Sequence, residues 1–126
     1  MVIKALSRLI VAAVAFASNA AFAQEEKVLN IYNWSDYIGE DLIKKFEAES
    51  GIKVRYDNFD NNEIVHAKMV AGKTGYDIIV PSSNWAKLQI DGGLLQKLDK
   101  SKIPNLKNVD PAINAQLSKM DPGNDY

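Results

Sequence analysis

Apolar and polar positions change period several times along the chain, and each change marks an element. Val28, Leu29, Ile31 and Tyr32 are bulky β-formers and predict a strand over residues 28–32. A polar and aromatic stretch, Asn33-Trp34-Ser35-Asp36-Tyr37, then interrupts the pattern as a loop. Ile38, Leu42, Ile43 and Phe46 recur at helical spacing. With Glu40 and Asp41 early, Lys44 and Lys45 later, and Gly51 as the stop, they predict a helix over 39–50. Ile52, Val54 and Tyr56 alternate with Lys53 and Arg55, as in a half-buried strand near a sheet edge.

The alternation of helix and strand continues along the chain. Asn61 and Asn62 are caps for a short helix through Ala71, packed by Ile64, Val65, Met69 and Val70 and ended by Gly72. Tyr76-Asp77-Ile78-Ile79-Val80 is nearly continuously apolar and stops at Pro81, which predicts a strand buried on both faces in the middle of a parallel sheet. Ser82 and Ser83 then cap a third helix over 84–91, closed by Gly92-Gly93. Beyond Leu98 the pattern weakens: Ile103-Pro104 breaks the chain, Asp110-Pro111 opens a fourth helix, and Asp121-Pro122-Gly123 makes a turn.

Strands alternating with helices across short links define an α/β fold, a parallel sheet with flanking helices. Ligands of such sheets collect at the carboxyl ends of the strands, where the strand order reverses. Two loops leave that edge, at 33–37 and 81–84, and they are the places to look for chemistry.

Length and composition then narrow the options. With 126 residues, one domain is the ceiling. Residues 1–23 are set apart from it: Lys4 and Arg8 precede an apolar run over 9–17, and Ala21-Phe22-Ala23 has the form of a cleavage site. The run is well short of the roughly 20 residues of a spanning helix, so it predicts a secretory signal and a soluble product beginning at Gln24. Cleavage there removes two of 15 basic residues and none of 16 acidic ones. A mildly acidic product with no basic run does not suit nucleic acid. The absence of Cys excludes disulfide scaffolds, zinc clusters and thiol catalysis, and His66 is the lone histidine, so no metal or cofactor is implied.

Trp34-Ser35-Asp36-Tyr37 joins two aromatic rings, a hydroxyl and a carboxylate. An organic ammonium ion needs such a set: a ring face attracts a cation by roughly 0.5–2 kcal/mol, and the carboxylate accepts its N–H bonds. Helix N-termini favour anions, but a full charge on Asp36 outweighs a partial dipole at similar range. The alternative is that Trp34 and Tyr37 cover core edges while Asp36 caps the helix, and spacing alone leaves both open. Ser82 and Ser83 follow a strand as a nucleophile would, yet the turn lacks the glycines of a nucleophile elbow, which disfavours a serine hydrolase using His66. Gly72-Lys73-Thr74-Gly75 echoes a phosphate loop, but Ala67 stands where its first glycine belongs and the segment leads into a strand. Trp85 reads as a packing residue, and His66 as an exposed or partly satisfied helix residue. A binder of another cation or of a stacked sugar remains a competing assignment.

Residues 29–38, the Phe46-Glu47 and Ser50-Gly51-Ile52-Lys53-Val54 segments, residues 71–82 and residues 98–104 together resemble the putrescine/spermidine-binding periplasmic proteins of ABC importers. The resemblance covers nearly all of the chain after residue 23. It implies a two-lobed Venus-flytrap fold closing on an extended polyamine, with residues 24–126 as the N-terminal part of the first lobe and the second lobe absent from a truncated chain. By position, Trp34, Ser35, Asp36, Tyr37 and Ser82 are the implied ligand contacts; Ser83 and Asn84 border the site, and Asn84 is implied to tune ligand choice. A monomer delivering ligand to a membrane permease, with no enzymatic activity and no cofactor, completes the expectation.

Overall fold

The computed structural model describes residues 26–126; the signal segment expected over 1–23 lies outside the described residues. Three parallel strands, β1 (Val28–Trp34), β2 (Lys53–Phe59) and β3 (Ile78–Ile79), form one sheet in the order β2-β1-β3. Helices α1 (Glu40–Ser50) and α2 (Asn62–Ala71) connect them, and α3 (Ser83–Asp91) follows β3. Two 3-10 turns, Lys100–Lys102 and Pro104–Asn108, lead to α4 (Pro111–Leu117).

Helix boundaries follow local chemistry. Gly51 takes the left-handed conformation (φ 69°) and returns its N–H to Glu47 O, closing α1 without the steric cost a side chain would bring. Asn61 Oδ1 accepts the Ile64 N–H at 2.9 Å, and Asp110 does the same for Ala112 at 2.7 Å, each removing an orphan donor from a first turn.

Strand boundaries depend on partners distant in sequence, and here two expectations are corrected. Trp34 is the last residue of β1 and not part of the loop. It lies opposite Phe59, their ring centroids 4.5 Å apart, and Tyr56 Oη approaches its carbonyl at 3.4 Å. This cross-strand aromatic contact holds the backbone extended two residues beyond Tyr32. The apolar run ending at Val80 is also not the middle strand. Regular pairing in β3 covers Ile78–Ile79, β3 is an edge of the three-stranded sheet, and Ile78 is 45% exposed. Apolar character reports that a surface demands cover, not which neighbour supplies it.

The core gathers on one sheet face. Tyr32, Phe59 and Val65 are buried there, with Trp34, Met69, Tyr76 and Ile79 packed around them. Only part of the expected α2 stripe takes part: Val65 is wholly buried, whereas Ile64 and Val70 face outward. On the opposite face, Leu42 and Phe46 of α1, with Leu29, Ile31 and Val54 of the sheet, line an apolar cleft of about 350 Å³.

Thus α1 and α2 run across opposite faces of the sheet. A strand order of 2-1-3 with helices switching faces creates a crevice at the carboxyl ends of β1 and β3. The links that follow those two strands both leave the sheet at that edge.

Candidate ligand-binding site

Strand β1 carries Trp34 to the carboxyl edge, where the chain turns through Ser35, Asp36 and Tyr37 before α1. Ser35, Asp36 and Tyr37 are exposed, and Trp34 is half-buried against Phe59. The Trp34 and Tyr37 ring centroids lie 6.1 Å apart with planes inclined by 36°. That separation is one of ring contact, so the rings form a single tilted wall and not two sides of a cage enclosing the carboxylate.

Asp36 does not cap α1. The N-cap is Gly39, which provides no side-chain hydrogen bond, and among the described residues the Asp36 carboxylate makes neither a hydrogen bond nor an ion pair. An exposed carboxylate beside an aromatic wall, unused by its own helix, is free to accept a charged donor. The same aromatic cluster already holds one ammonium group: Lys68 Nζ sits 4.5 Å from the Tyr32 ring centroid. Tyr32 in turn stacks on Tyr76 at 4.5 Å.

The second loop is tied to the first by backbone. Val80 N–H donates to Tyr32 O at 3.1 Å and Asp77 N–H to Asn30 O at 2.9 Å, so Ser82 emerges beside the end of β1. Ser82 is the N-cap residue of α3, and Ser83 and Asn84 fall inside its first turn; all three are exposed. The expected side-chain caps are absent from α3. Ser82 instead faces Asn62: its N–H donates to Asn62 Oδ1 at 2.9 Å, and its Oγ accepts from Asn62 Nδ2 at 3.1 Å. Asn62 therefore does not cap α2, a role taken by Asn61 alone. Its contact with Ser82 was not legible locally, because the Asn61-Asn62 pair looks like two interchangeable caps.

The competing chemistry finds no geometry. Ser82 Oγ is paired to an amide, while the His66 ring packs against Trp85, centroids 5.4 Å apart. Gly72-Lys73-Thr74-Gly75 joins α2 to β3 at the opposite, amino edge of the sheet. Among the described residues no group of three or more His, Cys, Asp or Glu side chains is gathered as metal ligands would be. A cleft of about 410 Å³ near Lys100, Leu106 and Asn124 belongs to the C-terminal turns and not to the crevice.

Comparison with known proteins bears on the fold and the family. Residues 41–124 match the family described as bacterial extracellular solute-binding protein. The chain is 47% identical over 123 residues to the putrescine-binding periplasmic protein PotF of Escherichia coli, covering 98% of this chain and 33% of that protein. To the putrescine-binding periplasmic protein SpuD of Pseudomonas aeruginosa it is 52% identical over 106 residues, 84% of this chain and 29% of the relative. The chain thus spans about a third of the length of these relatives. Among solved structures, the TpPotD lipoprotein of Treponema pallidum superimposes with a TM-score of 0.74 at 39% identity, covering 79% of this chain and 31% of that one. The spermidine/putrescine ABC transporter substrate-binding protein PotD of Streptococcus pneumoniae gives 0.65 at 44% identity, over 67% and 26%. With a parallel sheet and these matches, the chain belongs to the bacterial extracellular solute-binding protein family.

Proposed function

We propose that residues 24–126 supply one wall of a polyamine site in the periplasmic substrate-binding component of an ABC importer. The observation that carries this reading is Asp36, an exposed carboxylate with no partner among the described residues, beside the Trp34 and Tyr37 rings at the sheet's switch point. A polyamine has two requirements, a counter-ion for each ammonium and an apolar surface for the methylenes between them. Asp36 meets the first at one end, and the aromatic wall meets the second. Ser82, Ser83 and Asn84 add hydroxyl and amide groups across the crevice. The names of the relatives, putrescine-binding and spermidine/putrescine-binding, support the same ligand class.

In this reading residues 1–23 direct export and are removed after Ala23, and a soluble monomer begins at Gln24. The described residues belong to the first of two lobes, and the ligand is held between the lobes for delivery to a membrane permease. Ser82 acts as a hydrogen-bonding group and not as a nucleophile.

The test is calorimetric titration of putrescine, spermidine and the neutral analogue butane-1,4-diol into the longest form of the protein that its gene encodes. Saturable binding of the amines with no response to the diol is expected. Equal responses to amine and diol, or none to any of them, would overturn the assignment. N-terminal sequencing of the exported form should begin at Gln24, and retention of Met1 through Ala23 would refute the cleavage site.

A further inference from the structure

The reciprocal contact between Asn62 and Ser82 fixes more than a loop. A backbone N–H only donates, so the group of Asn62 facing Ser82 N at 2.9 Å must be its carbonyl oxygen. The amide nitrogen is then turned toward Ser82 Oγ, 3.1 Å away. That nitrogen also only donates, so Ser82 Oγ accepts from it. One oxygen lone pair of Ser82 is thereby occupied, the second remains available, and the hydroxyl proton points away from Asn62. A single side chain sets the backbone position and the hydroxyl polarity of Ser82 at once.

The fold makes this contact possible. Asn62 is the first residue of α2, which starts at the carboxyl edge after β2, and Asn61 already serves as the cap. Asn62 is therefore not needed for helix initiation. It reaches instead from the β2–α2 link to the β3–α3 link, 20 residues away in sequence. The hydroxyl of Ser82 is turned to Asn62, and α3 starts without a side-chain cap.

We infer that Asn62 is a positioning residue of the ligand site: it holds Ser82 so that one lone pair of its hydroxyl faces the crevice as an acceptor for a ligand ammonium N–H. The inference rests on the polyamine reading above. It separates the residue that touches ligand, Ser82, from the residue that aims it, Asn62.

The two amide contacts allow substitutions with opposite consequences. Asn62→Ala removes both bonds but leaves a good helix former at the first position of α2. Asn62→Asp keeps an acceptor for Ser82 N–H. Its second oxygen takes the Ser82 hydroxyl proton, which leaves both lone pairs of Ser82 Oγ toward the crevice and adds a negative charge nearby.

The experiment is titration of putrescine into the longest form of the protein its gene encodes, as the unaltered protein and as N62A, N62D, S82A and N62A/S82A. N62A is expected to weaken binding a few-fold, no more than S82A, which removes the hydroxyl itself, and N62D to bind at least as tightly as the unaltered protein. Because Asn62 acts through Ser82, the double variant should lose less than the product of the two single losses. A role confined to the stability of α2 would give losses that multiply. Multiplying losses, or N62A binding as tightly as the unaltered protein, would overturn the role of Asn62 while leaving the polyamine reading intact. Failure of the unaltered protein to bind any polyamine would overturn both.

Discussion

The Asp77 carboxylate accepts two hydrogen bonds from Asn30, one from its backbone N–H at 2.8 Å and one from its side-chain amide at 3.1 Å. Asp77 lies immediately before β3, and Asn30 lies within β1. The pair thus extends the attachment of a strand whose regular pairing covers only Ile78–Ile79.

Asp77→Ala should therefore lower stability by about 1 kcal/mol, the low end for bonds to a charged acceptor because both partners lie near solvent. Urea denaturation monitored by circular dichroism measures this. An unchanged midpoint would mean that backbone bonds alone hold β3 in place.

Gln89 presents the opposite case, a polar side chain with no visible reward. It is wholly buried, and neither its amide nitrogen nor its amide oxygen has a partner among the described residues. Gln89→Met keeps the length of the side chain and removes the unsatisfied amide, so it should stabilise the protein by about 1–2 kcal/mol. A higher urea midpoint is the expected reading. A lower one would reveal that the amide is hydrogen-bonded in solution.

These two residues illustrate what the sequence could reveal. Caps at Asn61, Gly51 and Asp110 were legible because a cap is satisfied within a few residues of itself. The parallel α/β order and the two links at the carboxyl edge were legible for a related reason: apolar period and turn residues are local. Where the outcome depended on distant partners, the pattern misled. Trp34 looks like a loop residue until Phe59 is placed opposite it. The 76–80 run looks central until strand order puts β1 between its neighbours. Gln89 is buried while Leu88 beside it is 49% exposed, the reverse of what side-chain polarity alone suggests. Asn62 was hidden by Asn61, since its bond to Ser82 spans 20 residues.

Glu47 gives a pH-dependent prediction with a definite sign. The Val54 N–H donates to its carboxylate at 2.9 Å, and Lys53 Nζ lies 3.4 Å away. The Val54 bond, ahead of the Lys53 ammonium, lowers its pKa below the ordinary glutamate value. A carboxylate with a lowered folded-state pKa contributes stability that is present above its unfolded pKa and is lost as pH falls through the folded one. Glu47→Gln should therefore lower the urea midpoint at neutral pH, with the difference shrinking as pH falls through the carboxylate range. A difference that stays constant from neutral to acid pH would contradict this linkage.

The charge on Asp36 should matter more to ligand affinity than the hydroxyl of Ser82. Both residues are exposed on links that follow β1 and β3, but they would offer an ammonium different things. Asp36 provides a charged acceptor with no competing partner among the described residues, whereas Ser82 Oγ is neutral and already shares one lone pair with Asn62. Hydrogen bonds involving a charged group are typically worth about 1.5–3 kcal/mol, against about 0.5–1.5 kcal/mol for neutral ones. Asp36→Asn should thus weaken putrescine binding about tenfold to a hundredfold, and Ser82→Ala only a few-fold. Asn replaces Asp with little change of shape, so the loss reports charge and not packing. Because Asp36 is exposed, its advantage should also narrow as salt rises, the screening length being about 10 Å at 0.1 M and about 3 Å at 1 M. Calorimetric titration of both variants at those two salt concentrations measures both effects. Equal losses for the two variants at low salt would mean that Asp36 shapes the loop after β1 without meeting the ligand's charge.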